Sequence, residues 1–319
     1  MPPGEFELIG RHFTGRGAVR DDVRLAVGDD AAVVTPRIGA ELVLALDTIV
    51  AGVHFPADIS GRFIGHRALA VNLSDLAAMG AEPAWALLGL TVPAADESWL
   101  GEFAAGFEQL ALRFGVALIG GDTTRGPLAA TVTVGGWVPS GEALTRSRAK
   151  PGDDLWVSGT PGDAGAGLAI LQGKLPASGA AREQLLRRFL LPQPRIGLGQ
   201  ALRGIASACI DISDGLAGDL EKLCRASGVG ARLDSRLLPR SPELLAAAGE
   251  QASMRFALSA GDDYELLFTA PAAARHRIEA LSAATTVSRI GEIKVTPGMQ
   301  LEGSGLERDL AHGFDHFTD

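Results

Sequence analysis

The run Val71-Asn72-Leu73-Ser74-Asp75-Leu76-Ala77-Ala78-Met79-Gly80 places a carboxylate inside an otherwise apolar stretch. Ser60 is a suitable N-cap, Gly80 a suitable stop, and Pro83 lies just beyond, so the spacing predicts one helix over this segment. Ile64, Ala68, Val71 and Asp75 fall on one stripe of it, while Leu69, Leu73 and Leu76 make the neighbouring face apolar as well. Such a helix is buried on two sides. A carboxylate withdrawn from water needs a cation or several donors, and no Lys or Arg lies within one turn of Asp75. Backbone N–H groups, a distant Arg and a metal ion all remain open as partners.

The same pattern recurs along the chain. Asp29 and Asp30 follow Gly28 and precede the apolar Ala31-Ala32-Val33-Val34, where a tight turn is sufficient explanation. Asp47 ends Leu42-Val43-Leu44-Ala45-Leu46, a continuous apolar run read as a buried strand. Asp122 follows Val116-Ala117-Leu118-Ile119 and the pair Gly120-Gly121, whose glycines let backbone approach a ligand closely. Asp211 sits between Ile210 and Ile212, and Asp214 opens a helix expected over 216–226, with Ser213 or Asp214 as its N-cap. Asp262 and Asp263 adjoin the apolar Leu266-Leu267-Phe268. None of these acids has an adjacent basic residue. A further Gly152-Asp153-Asp154 reads as an ordinary turn, so the triplet alone carries little information.

If several of these acids converge, divalent cations become close to obligatory. Two unit charges about 4 Å apart repel by roughly 4 kcal/mol at an effective dielectric near 20. Ligation by oxygen alone selects Mg²⁺, Mn²⁺ or Ca²⁺ over zinc. Glycine loops and carboxylates without a Walker lysine suit a site in which metal ions hold polyphosphate, with Arg146 as the protein cation best placed to help.

Bulk properties narrow the class. The 319 residues are 46% hydrophobic, enough for one large or two ordinary cored domains. A net charge of −9 and only four lysines (Lys150, Lys174, Lys222 and Lys294) exclude a basic footprint for nucleic acid or an anionic membrane. Cys209 and Cys224 are too few for a disulfide framework. The acidic N-terminal segment lacks a signal peptide's basic start, and no apolar run approaches a membrane span. The expectation is a soluble cytoplasmic enzyme.

A helix over Phe6–Phe13, a strand over Trp85–Val92, a helix over Ser98–Phe114 with a core aromatic stripe, and a hairpin of 116–119 with 129–138 complete the first half. Arg146-Ser147-Arg148-Ala149-Lys150-Pro151-Gly152 is polar and rich in breakers, which places the domain boundary near 148 and gives domains 1–148 and 149–319. The second half opens with a strand over 155–158. Next comes Gly159-Thr160-Pro161-Gly162-Asp163-Ala164-Gly165-Ala166-Gly167, which fits neither a P-loop nor a dinucleotide fingerprint and reads as close packing. Pro192-Gln193-Pro194-Arg195 is a rigid linker, and a helix over 274–281 and a strand over 287–293 follow.

Seven segments in order carry a resemblance. They are Gly28-Asp29-Asp30-Ala31-Ala32, Asp47-Thr48 with Gly52-Val53-His54-Phe55, Val71 to Gly80, Gly120-Gly121-Asp122-Thr123-Thr124, Ile212-Ser213-Asp214-Gly215-Leu216, Gly261-Asp262-Asp263-Tyr264-Glu265-Leu266, and Gly313-Phe314-Asp315-His316-Phe317. Together they resemble the thiamine-monophosphate kinases. The resemblance implies an aminoimidazole-ribonucleotide-synthetase-like fold: an N-terminal α/β domain that forms a homodimer through its sheet, and a C-terminal α+β domain. It also implies transfer of the ATP γ-phosphoryl to thiamine monophosphate. By the same resemblance Asp30, Asp47, Asp75, Asp122, Asp211 and Asp214 would bind Mg²⁺, Gly121, Asp122, Arg146 and Ser213 would contact ATP, and His54, Asp262 and Phe314 would contact the acceptor. The family usually carries hydroxyl residues where this chain has Ala45-Leu46, and a Glu where it has Asp262. A phosphate acceptor, with a second pKa of about 6, needs no general base, so no catalytic acid or base is expected.

Overall fold

The computed structural model describes residues 5–283 and 285–303. It divides into two compact units: one runs to Leu76 and resumes over Ala81–Gly141, and the other takes Ala77–Gly80 and continues from Glu142. The polar stretch around 148 lies inside the second unit, just before that unit's first strand.

The first unit contains α1 (Glu5–His12), β1 (Val23–Leu25), β2 (Val33–Val34), β3 (Ala40–Val50), α2 (Gly61–Ala78), β4 (Glu82–Val92), α3 (Glu97–Phe114), β5 (Ala117–Arg125) and β6 (Ala129–Pro139). α2 starts where the Ser60 hydroxyl accepts the Arg62 N–H, and it ends at Gly80 in the left-handed region, φ 68°. Asp96 caps α3 by accepting from the backbone of Ser98 and Trp99, and Phe103, Phe107 and Leu110 line its buried side. The aromatic stripe of that helix is core.

Two expectations for this unit are corrected. The segments 116–119 and 129–138 do not form a hairpin: the sheet order is β3-β6-β4-β5, with β5 parallel to β4 and β6 antiparallel to both β4 and β3. The three-residue connection passes over the end of β4, where Gly126 N–H donates to Val92 O at 2.9 Å. Moreover, β3 is not buried. It is an edge strand whose Leu42, Leu44 and Leu46 are 44%, 58% and 60% exposed, whereas the opposite face of the sheet buries Val132, Val134, Leu88 and Leu90. A continuous apolar run reads the same whether its second face meets protein of the same chain or is left open. Near the other end of the open face, the β1–β2 hairpin sets Val23 and Val34 against Trp85 and Trp137.

The second unit contains β7 (Asp153–Ser158), α4 (Asp163–Leu171), α5 (Gly179–Leu190), α6 (Ile196–Ala201), β8 (Ala208–Asp211), α7 (Leu216–Ser227), β9 (Gly230–Asp234), α8 (Pro242–Ser259), β10 (Leu266–Pro271), α9 (Arg275–Leu281), β11 (Val287–Lys294) and β12 (Gly298–Glu302). Its six-stranded sheet has the order β12-β9-β11-β7-β10-β8, antiparallel apart from the β12–β9 pair. Leu155, Val157, Ile210, Leu220, Leu267 and Ile290 lie in its core. The glycine-rich stretch before and within α4 is packing, as expected from sequence. A Cβ on Gly165 would lie 2.3 Å from the Ala260 side chain, and one on Gly167 would lie 2.2 Å from Leu185 O. The Gly152 turn is also structural: Asp154 is buried and paired with Arg275 and Arg289. α5, α8, β9 and β12 have no counterpart in the sequence reading. Among the described residues, no helix is long and apolar enough to cross a membrane.

Candidate active site

In the first unit the site grows from the contact between β3 and α2. Asn72, fully buried, accepts the backbone N–H of Asp47 on its Oδ1 at 2.8 Å and donates from Nδ2 to Ala68 O at 3.0 Å. Asp75 lies three residues further along α2, on the same side of the helix as Asn72. It is half-buried, while Leu73, Ser74, Leu76 and Ala77 around it are fully buried. Strand β3, which continues past Asp47 to Val50 and so corrects the expectation that it ends there, and the helix bearing Asp75 are thereby fastened together. Sequence reasoning passed over Asn72. Its signal was an amide on a helix with two apolar faces, where an unpaired polar group would be costly.

Asp122 stands apart from this pair. Residue pairing runs Asp47, Val132, Leu88, Gly121 across the four strands, so three inter-strand steps, roughly 14 Å, separate Asp47 from Gly121. Asp122 belongs to the adjoining row, with Gly89, Thr131 and Thr48. Beside it is a small cleft, partly open to solvent, with apolar walls from Ile9, Phe13, Val27, Leu88 and Leu118, bordered by Gly120, Gly121, Asp122 and Thr123. Val27 leads into the Gly28-Asp29-Asp30 turn, where Asp30 is exposed and its N–H donates to Asp29 Oδ1 at 2.8 Å. In the loop after β3, His54 Nδ1 accepts the Val50 N–H at 3.0 Å, which puts the proton of the neutral ring on Nε2.

In the second unit the end of β8 and the segment before β10 are laced together by backbone. Ile212 N–H donates to Glu265 O at 2.8 Å, Tyr264 N–H to Ile212 O at 2.8 Å, and Asp262 N–H to Ser213 O at 2.9 Å. Asp211 is buried and lies opposite Leu266. Gly261 is required by this contact, because a Cβ there would sit 2.3 Å from Ser213 O. Asp262 and Tyr264 both adopt positive φ, 71° and 51°, which side chains other than glycine rarely do. The Tyr264 hydroxyl donates to Asp262 Oδ1 at 3.1 Å. Asp211, Ser213, Asp214 and Asp262 are thus gathered on two adjoining loops. Arg146 is exposed beside β8, since the preceding Thr145 O accepts the Cys209 N–H at 3.1 Å. Phe314 lies outside the described residues.

Two expectations for this loop are corrected. Asp214 does have a basic partner: Lys222, two turns along α7, whose Nζ contacts Asp214 Oδ2 and also Asp219 Oδ1 at 2.8 Å. Linear adjacency misses a residue that helix geometry returns to the same spot. Nor does Ser213 or Asp214 cap α7; its N-cap is Gly215, without a side-chain bond. Instead, buried Asp219 reaches back and accepts the N–H groups of Ser213 and Asp214 at 3.0 and 3.1 Å. Burial pushes the Asp219 carboxyl up from its ordinary value, and Lys222 draws it back.

Sequence reasoning also missed an ionic network beneath these loops. Glu265, fully buried, receives Arg188 Nη2 at 2.6 Å, Arg195 Nε at 2.7 Å and the Ser158 hydroxyl. Burial pushes its carboxyl up, but Arg195 and Arg188 together outweigh that and hold it at about 2. Asp263 accepts the N–H groups of Gly162 and Ala164 at the start of α4, and burial holds its carboxyl well above the ordinary range. The available signal was Arg195 at the end of a Pro-rich linker and Glu265 within an apolar run.

All the candidate ligands offer hard oxygen donors, which fits Mg²⁺, an ion commonly held through one or two carboxylates together with phosphate and water. Within either unit, among the described residues, no three His, Cys, Asp or Glu side chains form a ready-made metal cage.

Residues 28–138 match the family described as AIR synthase related protein, N-terminal domain, and residues 150–304 match its C-terminal domain. Thiamine-monophosphate kinase of Salmonella typhimurium is 45% identical to this chain over 327 aligned positions, covering 100% of this chain and 99% of that protein. The chain belongs to the thiamine-monophosphate kinase family. The crystal structure of thiamine-monophosphate kinase from Stenotrophomonas maltophilia K279a is 47% identical and superposes with a TM-score of 0.85 over 89% of this chain and 92% of that one. The complex of AaThiL with AMPPCP and TMP is 30% identical, with a TM-score of 0.80 over 92% of both chains. The two domains of a thiamine-monophosphate kinase are therefore both present, and the expected α/β plus α+β architecture holds.

Proposed function

We propose that this chain transfers the γ-phosphoryl group of ATP to thiamine monophosphate, forming thiamine diphosphate and ADP. The observation that carries the reading is likeness over nearly the whole chain to a protein bound to AMPPCP and TMP, at 30% identity and a TM-score of 0.80. An acceptor phosphate oxygen attacks the γ-phosphorus, and the bond to the β-phosphate oxygen breaks. With a second pKa of about 6, the acceptor is already ionised near neutral pH, so no side chain need remove a proton.

The chain's own part is to bind and align two anions. Asp30, Asp47, Asp75 and Asp122 in the first unit and Asp211 and Asp214 in the second would hold Mg²⁺, which when bound screens the phosphate charges and orients them for in-line transfer. Gly121, Asp122, Arg146 and Ser213 would meet ATP; the absent side chain of Gly121 is itself required by close strand packing, since a Cβ there would lie 1.9 Å from Leu88 O. His54, Asp262 and Phe314 would meet the acceptor, His54 through a ring whose orientation Val50 fixes.

The enzyme is further proposed to be a cytoplasmic homodimer that pairs through the sheet of the first unit, with two domains, 1–148 and 149–319. The exposed row Leu42, Leu44 and Leu46 on edge strand β3 supports the pairing. Free, buried Cys209 and Cys224 suit a reducing compartment.

The test is purified protein with Mg-ATP and thiamine monophosphate. Thiamine diphosphate and ADP should appear in equal amounts, and Asp75→Asn should abolish turnover while the circular dichroism spectrum stays unchanged. ATP binding without either product, across a range of Mg²⁺ concentrations, would overturn the reading.

A further inference from the structure

We propose that Lys222 is the resident counter-ion of Asp214, an ammonium that a divalent cation must displace from that carboxylate, so that this one lysine sets the metal affinity of the second unit. The proposal rests on the reading of Asp214 as a magnesium ligand.

Three features of the loop lead to it. Asp219 is 1% exposed at its side chain and divides its two oxygens: Oδ2 accepts the N–H groups of Ser213 and Asp214, while Oδ1 receives Lys222. Asp219 therefore both shapes the loop and tethers the ammonium. Asp214, by contrast, is 32% exposed and uses Oδ2 for Lys222. Lys222 itself is 41% exposed, so its flexible stem can swing the ammonium off Asp214 into water while the tether at Asp219 and the loop backbone persist.

Charge decides the direction of the effect. An ammonium against a carboxylate lowers the negative potential that a divalent cation would meet there, and both charges cannot sit on Oδ2 together. An alternative role is support of α7 alone. Lys222 lies mid-way along α7, outside the terminal turns where the helix dipole acts, so it gains little from the helix and depends on the two carboxylates. The two roles differ in sign. Loss of a purely structural lysine leaves metal binding unchanged or weaker, whereas loss of a competing cation makes it tighter.

The experiment titrates the full-length protein with Mn²⁺, following free ion by electron paramagnetic resonance, with folding monitored by circular dichroism. Lys222→Gln removes the charge and retains an N–H donor on a side chain one bond shorter; Lys222→Met is the second, apolar variant, and Lys222→Arg keeps the charge. The site lost in Asp214→Asn should bind Mn²⁺ roughly tenfold more tightly in Lys222→Gln and Lys222→Met than in wild type, an effect that shrinks at high salt. Lys222→Arg should match wild type. If Asp214→Asn weakens Mn²⁺ binding but neither neutral variant tightens it, the counter-ion role is overturned and the ligand role of Asp214 stands. If Asp214→Asn leaves every Mn²⁺ site intact, the ligand reading fails and takes the proposal with it.

Discussion

Asn72 holds Asp47 by its backbone: the buried amide accepts the Asp47 N–H at 2.8 Å and is itself steadied by Ala68 O at 3.0 Å. A carboxylate on a strand keeps its aim only if the strand cannot slide against the helix beside it, and this bond fixes that register between β3 and α2. Asn72→Ala leaves a half-buried N–H without its partner, so it should lower stability by about 1 kcal/mol in urea unfolding. It should also weaken divalent-cation activation roughly tenfold or more, as loss of a group supporting a ligand does. A variant that matches wild type in both measurements would show that the bond positions nothing.

Glu265 gives the fold a predictable response to acid. Its carboxyl is held at about 2 in the folded protein, against an ordinary value of 4.5. The stabilisation is therefore fully present above pH 4.5 and is lost as pH falls from there through about 2. Glu265→Gln removes it at every pH and leaves Arg188 and Arg195 facing a neutral amide. It should cost about 3–5 kcal/mol at pH 7, and unfolding free energy should then fall less steeply than in wild type between pH 4.5 and 2. Parallel acid limbs for the two proteins would contradict the assignment.

The Tyr264 hydroxyl fixes the Asp262 side chain on a backbone already held at positive φ at both positions. Tyr264→Phe should raise the KM for thiamine monophosphate about fivefold, the worth of one hydrogen bond near 1 kcal/mol, with little change in kcat. An equal fall in kcat with KM unmoved would instead place Tyr264 in transition-state stabilisation.

The exposed leucine row on β3 predicts self-association. Wild type should sediment at twice the 33.0 kDa of one chain, and Leu44→Glu, which puts a charge at the middle of the row, should sediment at 33.0 kDa. Unchanged sedimentation of Leu44→Glu would remove this row from the dimer interface.

Part of the fold around the candidate site was legible in the sequence. Acids at the ends of apolar runs mark some strand termini and not others, because a strand carries a charge wherever one of its faces or its edge meets solvent. The turns at 28–30, 211–215 and 261–265 lie before β2, at the end of β8 and before β10, whereas Gly120-Gly121-Asp122 lies within β5 and Asp47 within β3, short of that strand's end at Val50. α2 was legible for a second reason, since Ser60 and Gly80 are local signals read by the neighbouring backbone, and α3 for the apolar spacing of Phe103, Phe107 and Leu110; its N-cap, Asp96, emerged only in the structure. The exposure of β3 was not legible. Leu42, Leu44 and Leu46 have the composition of a core strand, and only the packing of the sheet, which buries its other face, leaves theirs open.

The sequence by itself determined the donor chemistry, all oxygen and without a Walker lysine, together with the order of the acidic turns and the main helix boundaries. These depend on residue identity and on neighbours within a turn or two. Tertiary structure alone decided which charges meet. Glu265 finds Arg188 and Arg195 from 77 and 70 residues away, Asp47 is held by Asn72 from 25 residues away, and Lys222 returns to Asp214 by the pitch of a helix. Charge pairing depends on distance in space, and chain separation constrains that distance only weakly until packing has fixed each strand and helix in place.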